Sequence, residues 1–243
     1  VSTPSDALAI TVDTTAPTVS SIAITGATGA LASTLNAGDV VSATVTMDSN
    51  TVVTGAPQLA LNIGGTTVQA SYASGSGTTE LVFTYTILAN QTDTDGISVD
   101  ANALSLNSGT LTDVAGNTAT ITSVAVAANN SYLVDTTAPT KPGTPDLDIN
   151  SDTGSSGSDD ITTDTTPTVT GSGQTEGDTI TLTSVVDGSV GTAVVANDGT
   201  WSITASALTV GTQSLTVTAT DAAGNVSTPS DALAITVDTT APT

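Results

Sequence analysis

The chain has 243 residues, of which 23 are Asp or Glu and a single one, Lys141, is basic; it has no His or Cys, and its formal net charge is −22. So acidic a chain lacks the cations that displace counterions from phosphates, which argues against nucleic acid, and an anionic lipid surface repels it. Without Cys there is no disulfide or thiol chemistry, and no apolar run approaches the roughly 18 residues needed to span a bilayer.

The first predicted element repeats the last. Residues 1–18, VSTPSDALAITVDTTAPT, recur letter for letter at 226–243, and VDTTAPT occurs again at 134–140. Three copies at domain-sized intervals mark tandem modules. Residues 1–14 therefore read as the last strand and linker of a truncated preceding repeat. Residues 15–137 read as one complete domain and 138–243 as a second, in an elongated arrangement.

In the first domain VVSATVTM puts Val41, Ala43, Val45 and Met47 on one face. QLALNIGG does the same with Leu59, Leu61 and Ile63, and ELVFTYTIL with Leu81, Phe83, Tyr85 and Ile87. In the second domain the inward sets are Ile180 and Leu182, Trp201 and Ile203, then Leu215, Val217 and Ala219, then Leu233, Ile235 and Val237. Period two, with Thr opposite, predicts half-buried strands. NAGD, IGG, SGSG, EGD, NDG and AGN mark the turns between them. No stretch has helical periodicity. The expected fold class is all-β, two tandem immunoglobulin-like β-sandwiches of short antiparallel strands. Trp201 lies in a late strand and reads as core. Small aliphatic cores bury area at about 25 cal/mol per Å² and leave little margin over ordering entropy.

Strand direction locates the candidate chemistry. In such a sandwich the turn between the last two strands sits at the pole where the linker enters. Asp113 and Asn117 (DVAGN) occupy that turn in the first domain, Asp221 and Asn225 (DAAGN) in the second. The incoming linkers carry Asp13 and Asp135. Asp48 and the Glu176-Gly177-Asp178 turn belong to loops returning to the same poles. Carboxylates about 4 Å apart repel by roughly 4 kcal/mol at an effective dielectric of 20, so a proton or a cation must intervene. Oxygen ligands without His or Cys suit Ca²⁺. The alternative is that these residues form turns on a solvated surface.

A second acidic stretch, DLDINSDTGSSGSDDITTD, holds Asp146, Asp148, Asp152, Asp159, Asp160 and Asp164; it offers a cation within the second domain ligands such as Asp146, Asp148, Asp152 and Asp164, or else is a polar loop. TDTDGISVD, with Asp93, Asp95, Gly96 and Asp100, echoes an EF-hand loop, but Gln91 and Asn102 stand where its end ligands belong, and a solvated turn is the better reading. Asp152-Thr153-Gly154 is one D-T-G triplet without the second that aspartic-protease chemistry needs. Glu80 and Glu176 lie in different domains, so they do not make a glycosidase pair.

GTWSITASALTVGTQSLTVTATDAAGNVSTPSDALAITVDTTAPT resembles the bacterial Ig-like repeats of giant secreted adhesins and biofilm-associated proteins, most specifically in GTW and TDAAGNVS. LNAGDVVSATVTM, the stretch from TGAPQLALNIGG to ELVFTYTI, and LTDVAGN resemble a second repeat type of the same proteins. The resemblance implies stiff modules displayed on the bacterial cell surface or secreted, with calcium at module junctions. It also implies an acidic residue after the second strand, the place that Asp48 fills. The expectation is a non-catalytic spacer whose partners are neighbouring repeats of the same chain. It involves no nucleic acid and no membrane insertion. Two alternatives remain: a filament or matrix protein in which residues 1–12 add as a strand to another copy, and a glycan-binding domain.

Overall fold

The computed structural model describes residues 10–241. The strand predicted over residues 1–12 lies mostly outside them. The chain divides between Val134 and Asp135 into two compact units, each with its own apolar core.

The first unit holds β1 (Val19–Thr28), β2 (Thr34–Leu35), β3 (Val40–Thr54), β4 (Gln58–Ile63), β5 (Thr66–Ser74), β6 (Thr78–Thr86), β7 (Thr92–Asp93), β8 (Leu104–Ser105), β9 (Thr110–Thr112) and β10 (Leu133–Asp135). One sheet runs β1-β3-β6-β5-β4-β8 and a smaller one β2-β10-β7, with β9 paired to the end of β3. Val41, Ala43, Val45, Leu59, Leu81 and Phe83 are fully buried from the larger sheet, and Leu35 and Val134 join the same core from the smaller one. Period two thus becomes one wet face and one packed face. Strand β3 changes partner along its length. Val40–Thr46 pair with β6, the register slips, and Val52–Thr54 pair with β9. Asp48 sits in that slip, where the chain is freed from its β6 ladder.

The second unit holds β11 (Asp146–Leu147), β12 (Ile161–Thr162), β13 (Thr168–Gly171), β14 (Thr179–Ser184), β15 (Gly188–Val194), β16 (Trp201–Thr204), β17 (Gly211–Thr220) and β18 (Leu233–Val237). Its sheets run β11-β13-β16 and β12-β18-β17-β14-β15. Val169, Trp201 and Ile203 from the first meet Ile180, Leu182, Leu215, Val217 and Ile235 from the second. Trp201 lies across Gly171, the partner opposite it on β13, where a Cβ would collide with the indole.

Both units are therefore β-sandwiches, and the structure has no helix among the described residues. One expectation needs correction. The strands are not all antiparallel: β2 pairs with β10, and β12 with β18, in parallel. In each unit an early segment crosses to the second sheet and then runs alongside the last strand, in the same direction.

Candidate functional site

At the end of β17 the chain turns through Asp221-Ala222-Ala223-Gly224-Asn225, and Thr220 bridges Val226 to close it. Gly224 supplies the left-handed backbone, at φ 87°, that the turn requires. Asp221 Oδ1 accepts the N–H groups of Ala223 and Asn225, each at 2.9 Å. Its Oδ2 accepts the Asn225 side-chain amide at 2.9 Å. That same Nδ2 also donates to the backbone carbonyl of Asp135 at 3.0 Å. The first unit repeats this arrangement. Asn117 donates its backbone N–H and its Nδ2 to Asp113 at 2.8 and 2.7 Å, and its Nδ2 to the carbonyl of Asp13 at 3.1 Å.

The linker aspartates thus do arrive at the last turn of the unit they enter, but through their carbonyls. Their carboxylates are occupied locally. Oδ1 of Asp13 accepts the N–H of Thr15, and Oδ1 of Asp135 that of Thr137, both at 2.9 Å. Asp238 does the same with Thr240 in the third copy. Asp followed two residues on by a free N–H closes an Asx turn, and D-T-T provides it in every VDTTAPT. Asn117 and Asn225, expected as oxygen ligands, act here as donors. Their amide hydrogens lie between two oxygens that would otherwise face each other.

The two poles differ in what is left over. Asp48 in the first unit accepts the Thr18 N–H at 2.8 Å and the Thr18 hydroxyl at 2.6 Å, while its own N–H donates to the Thr18 carbonyl at 3.0 Å. The Thr18 hydroxyl, then its N–H, holds the Asp48 carboxyl below the usual carboxylate range. Asp113 is lowered chiefly by the Asn117 amide. In the second unit Asp178 is 5% exposed and its Oδ2 has no partner. Burial raises its pKa, and the nearby charge of Asp221 raises it further. Glu176, beside it, is exposed. A buried carboxylate oxygen without a donor, beside a second carboxylate, fits a hard cation. Among the described residues no three acidic side chains are closed up around a common point as they would be around an ion.

The acidic stretch divides. Asp146 on β11, Asp148 and Asp152 line one cavity, which Asp160 completes. Asp164 is outside it, with Oδ1 taking the N–H and hydroxyl of Thr166 at 2.8 and 3.0 Å. Asp93 is not a solvated turn. It is 3% exposed, and it gathers the N–H groups of Gly64 and Gly96, both at 2.8 Å, and of Asp95 at 3.3 Å, so it ties two loops together. Lys141 pairs with Asp231 at 2.8 Å and neutralises none of these sites. The rings pack inward. Phe83 meets Tyr72 edge-on at 5.7 Å, and Trp201 is 5% exposed. Sequence reading missed Thr18, whose only signal was its place at the end of the repeated heptapeptide.

Residues 137–239 match the model of the family described as bacterial Ig-like domain. No curated protein matches the chain. Among solved structures, an Antarctic bacterium's adhesin, described as Ca²⁺-stabilized and as binding ice, is 23% identical, with 93% of this chain and 50% of that chain covered, at a TM-score of 0.44. A 1.5-MDa bacterial ice-binding adhesin is 19% identical, with 91% and 63% covered, at 0.36. The BSP domain of a biofilm-associated protein is 22% identical, with 91% and 30% covered, at 0.28. The chain spans less than two thirds of the length of each of these three solved chains.

Proposed function

We propose that this chain is a non-catalytic structural segment of a bacterial surface adhesin or biofilm protein, built to hold successive modules at a set spacing, with calcium reinforcing the poles where the linkers enter. One observation carries the reading. Two sandwiches of different strand order receive the same heptapeptide in the same way, through an Asx turn in the linker and an Asn amide clamped on the linker carbonyl. Attachment of the linker is what the chain repeats, and proline in each TTAPT stiffens it further by fixing φ.

Calcium would be held in the second unit by Asp178 and Asp221, with Asn225 and Asp135 adjacent. The corresponding set in the first unit is Asp13, Asp48, Asp113 and Asn117. The ion would supply positive charge to oxygens that the single Lys does not reach. Extracellular calcium modules work at dissociation constants of about 0.1–1 mM, which suits display outside the cell. A second reading, strand addition to another copy, draws on Ile10 and Val12, which are 75% and 80% exposed.

Thermal unfolding and solution scattering of the full chain, in calcium and then in chelator, test the proposal. Chelation is expected to lower the melting temperature and the maximum dimension. A ligand at about a hundred times its dissociation constant stabilises by about 2.7 kcal/mol, well within reach of the measurement. Curves that do not move count against calcium. Sedimentation showing association at micromolar protein favours strand addition instead.

A further inference from the structure

Every Asp and Glu of the second unit, and Lys141, lies outside the strands of its larger sheet, β12, β14, β15, β17 and β18. In a chain of net charge −22 this sheet carries no charge. Its inner face is the core already described, and its outer face is a field of hydroxyls. Thr179, Thr181 and Thr183 on β14 stand opposite Thr220, Thr218 and Thr216 on β17. Thr192 continues the Thr181 row onto β15, and Thr236 on β18 stands opposite Thr212. An aliphatic flanks the field at each side: Ile161 on β12, 40% exposed, and Val194 on β15, 65% exposed.

A strand that shows Thr to water is ordinary, but these hydroxyls are uncommitted as well as uncharged. On the smaller sheet Thr168 and Thr204 bond hydroxyl to hydroxyl at 3.1 Å. The hydroxyls of Thr181, Thr183, Thr216 and Thr218 take no partner among the described residues. A hydroxyl is donor and acceptor at once, so a face of hydroxyls and methyls complements its own copy, which a carboxylate face cannot do. Here two copies of a very acidic chain meet without bringing charges into contact. A sugar would instead want an exposed aromatic to stack on, and the sole ring of the unit, Trp201, is buried in the core.

We propose that this outer face pairs with the same face of a second copy, sheet on sheet, in an isologous contact. Twisted sheets stack about 10 Å apart with their strands about 30° from parallel, which sets Thr181 and Thr218, at the centre of the face, against the other copy. A five-stranded sheet with the six-residue β14 at its middle offers about 400–500 Å², at about 3.3 Å per residue and 4.8 Å per strand. Two such faces bury about 800–1,000 Å², the size of a weak, reversible encounter. Repetition of the module multiplies it through effective concentration, so the contact bundles arrays and stays slight between single copies. The pairing goes beyond the spacer reading. Linkers and calcium act along one chain, whereas this face acts between chains and needs neither calcium nor residues 1–12.

The chain has no Cys, so one introduced thiol reports the contact. In chelator, Thr181→Cys and Thr218→Cys in the full chain are expected to form disulfide dimers about tenfold faster than Ser202→Cys on the smaller sheet, because pairing raises the local thiol concentration. Sedimentation over a concentration series reads the same contact without oxidation. Association is expected to grow with salt, which screens repulsion between the acidic loops, and to vanish in Thr181→Asp with Thr218→Asp. The Trp201 denaturation midpoint checks that this variant folds, and the Cys variants carry the test where it does not. Ile10→Asp with Val12→Asp, which blocks strand addition, is expected to leave association unchanged. Equal crosslinking at 181, 218 and 202 overturns the proposal. So does association lost in the Ile10 and Val12 variant, which assigns it to strand addition. Dextran that shifts the amide resonances of 179–183, with crosslinking no faster than the control, gives the face to carbohydrate instead. Every arm is run in chelator, so failure of calcium at the poles does not move the outcome.

Discussion

Asn225 reaches back 90 residues to donate its Nδ2 to the carbonyl of Asp135 at 3.0 Å, and the same nitrogen donates to Asp221 Oδ2 at 2.9 Å. One amide therefore fastens the entering linker and gives the turn acid a donor. Asn225→Ala removes both bonds, although Asp221 keeps its two backbone donors. At about 1 kcal/mol per bond, more where a half-buried acceptor is left bare, the expected loss is about 1–3 kcal/mol. Trp201, the sole Trp, lies in the core of the second unit, so its fluorescence follows denaturation of that unit alone. An unshifted denaturation midpoint would mean that the clamp is not part of what holds the unit together.

Much of this fold was legible because alternation with large aliphatics leaves no second choice of face. Val41, Ala43 and Val45, or Leu215, Val217 and Ala219, can be buried together only on a strand. Strands β13 (Thr168–Gly171) and β15 (Gly188–Val194) were illegible because each buries a single aliphatic, Val169 and Val190, among Thr, Ser and Gly. The two-residue strands β2 and β12 owe their existence to parallel neighbours far along the chain. At the poles, sequence placed Asp113 and Asp221 correctly beside the incoming linkers. It could not tell carbonyl from carboxylate, since a D-T-T Asx turn rotates the side chain away from where the backbone points.

Asp178→Asn is expected to change sign with calcium. In chelator the wild-type unit buries a carboxylate oxygen without a donor, a penalty of about 1–3 kcal/mol. An amide there carries no charge and can donate toward Asp221, so the variant is expected to melt higher. In calcium the variant lacks a ligand and is expected to melt lower. The pH dependence follows the same logic. The folded pKa of Asp178 is raised above its unfolded value. Its favourable contribution is therefore complete below the unfolded pKa and disappears as pH rises through the folded one. Wild type minus variant, measured in chelator from pH 3 to 7, should fall with rising pH; a flat difference would remove Asp178 from the account.

Thr18 and Asp48 give the first unit the opposite slope. The Asp48 pKa is depressed, so its contribution is present above the unfolded value and is lost as pH falls through the folded one. Thr18→Val deletes the 2.6 Å hydroxyl bond while keeping the shape and the backbone N–H bond at 2.8 Å. Carboxyl NMR titration should show Asp48 moving back up toward its ordinary value in the variant. If Asp48 titrates identically in both proteins, the hydroxyl does not set its charge, and the latch at the entrance to the first unit rests on the backbone bonds alone.

The indole of Trp201 is the only aromatic group in the second unit, and it closes a core otherwise made of small aliphatics. Its fit depends on Gly171, where any Cβ would strike the ring. Gly171 does not have a left-handed backbone, so the constraint is steric and not conformational. Gly171→Ala is therefore expected to cost about 1–3 kcal/mol through overpacking. Trp201→Phe alone should also destabilise, by leaving space. The double variant should be better than the sum of the two, because a smaller ring makes room for the new methyl; contacting residues couple by about 0.5–3 kcal/mol. Circular dichroism in denaturant reads all three without the Trp signal. Strict additivity would mean that the ring does not lie on Gly171, its partner across β13 and β16.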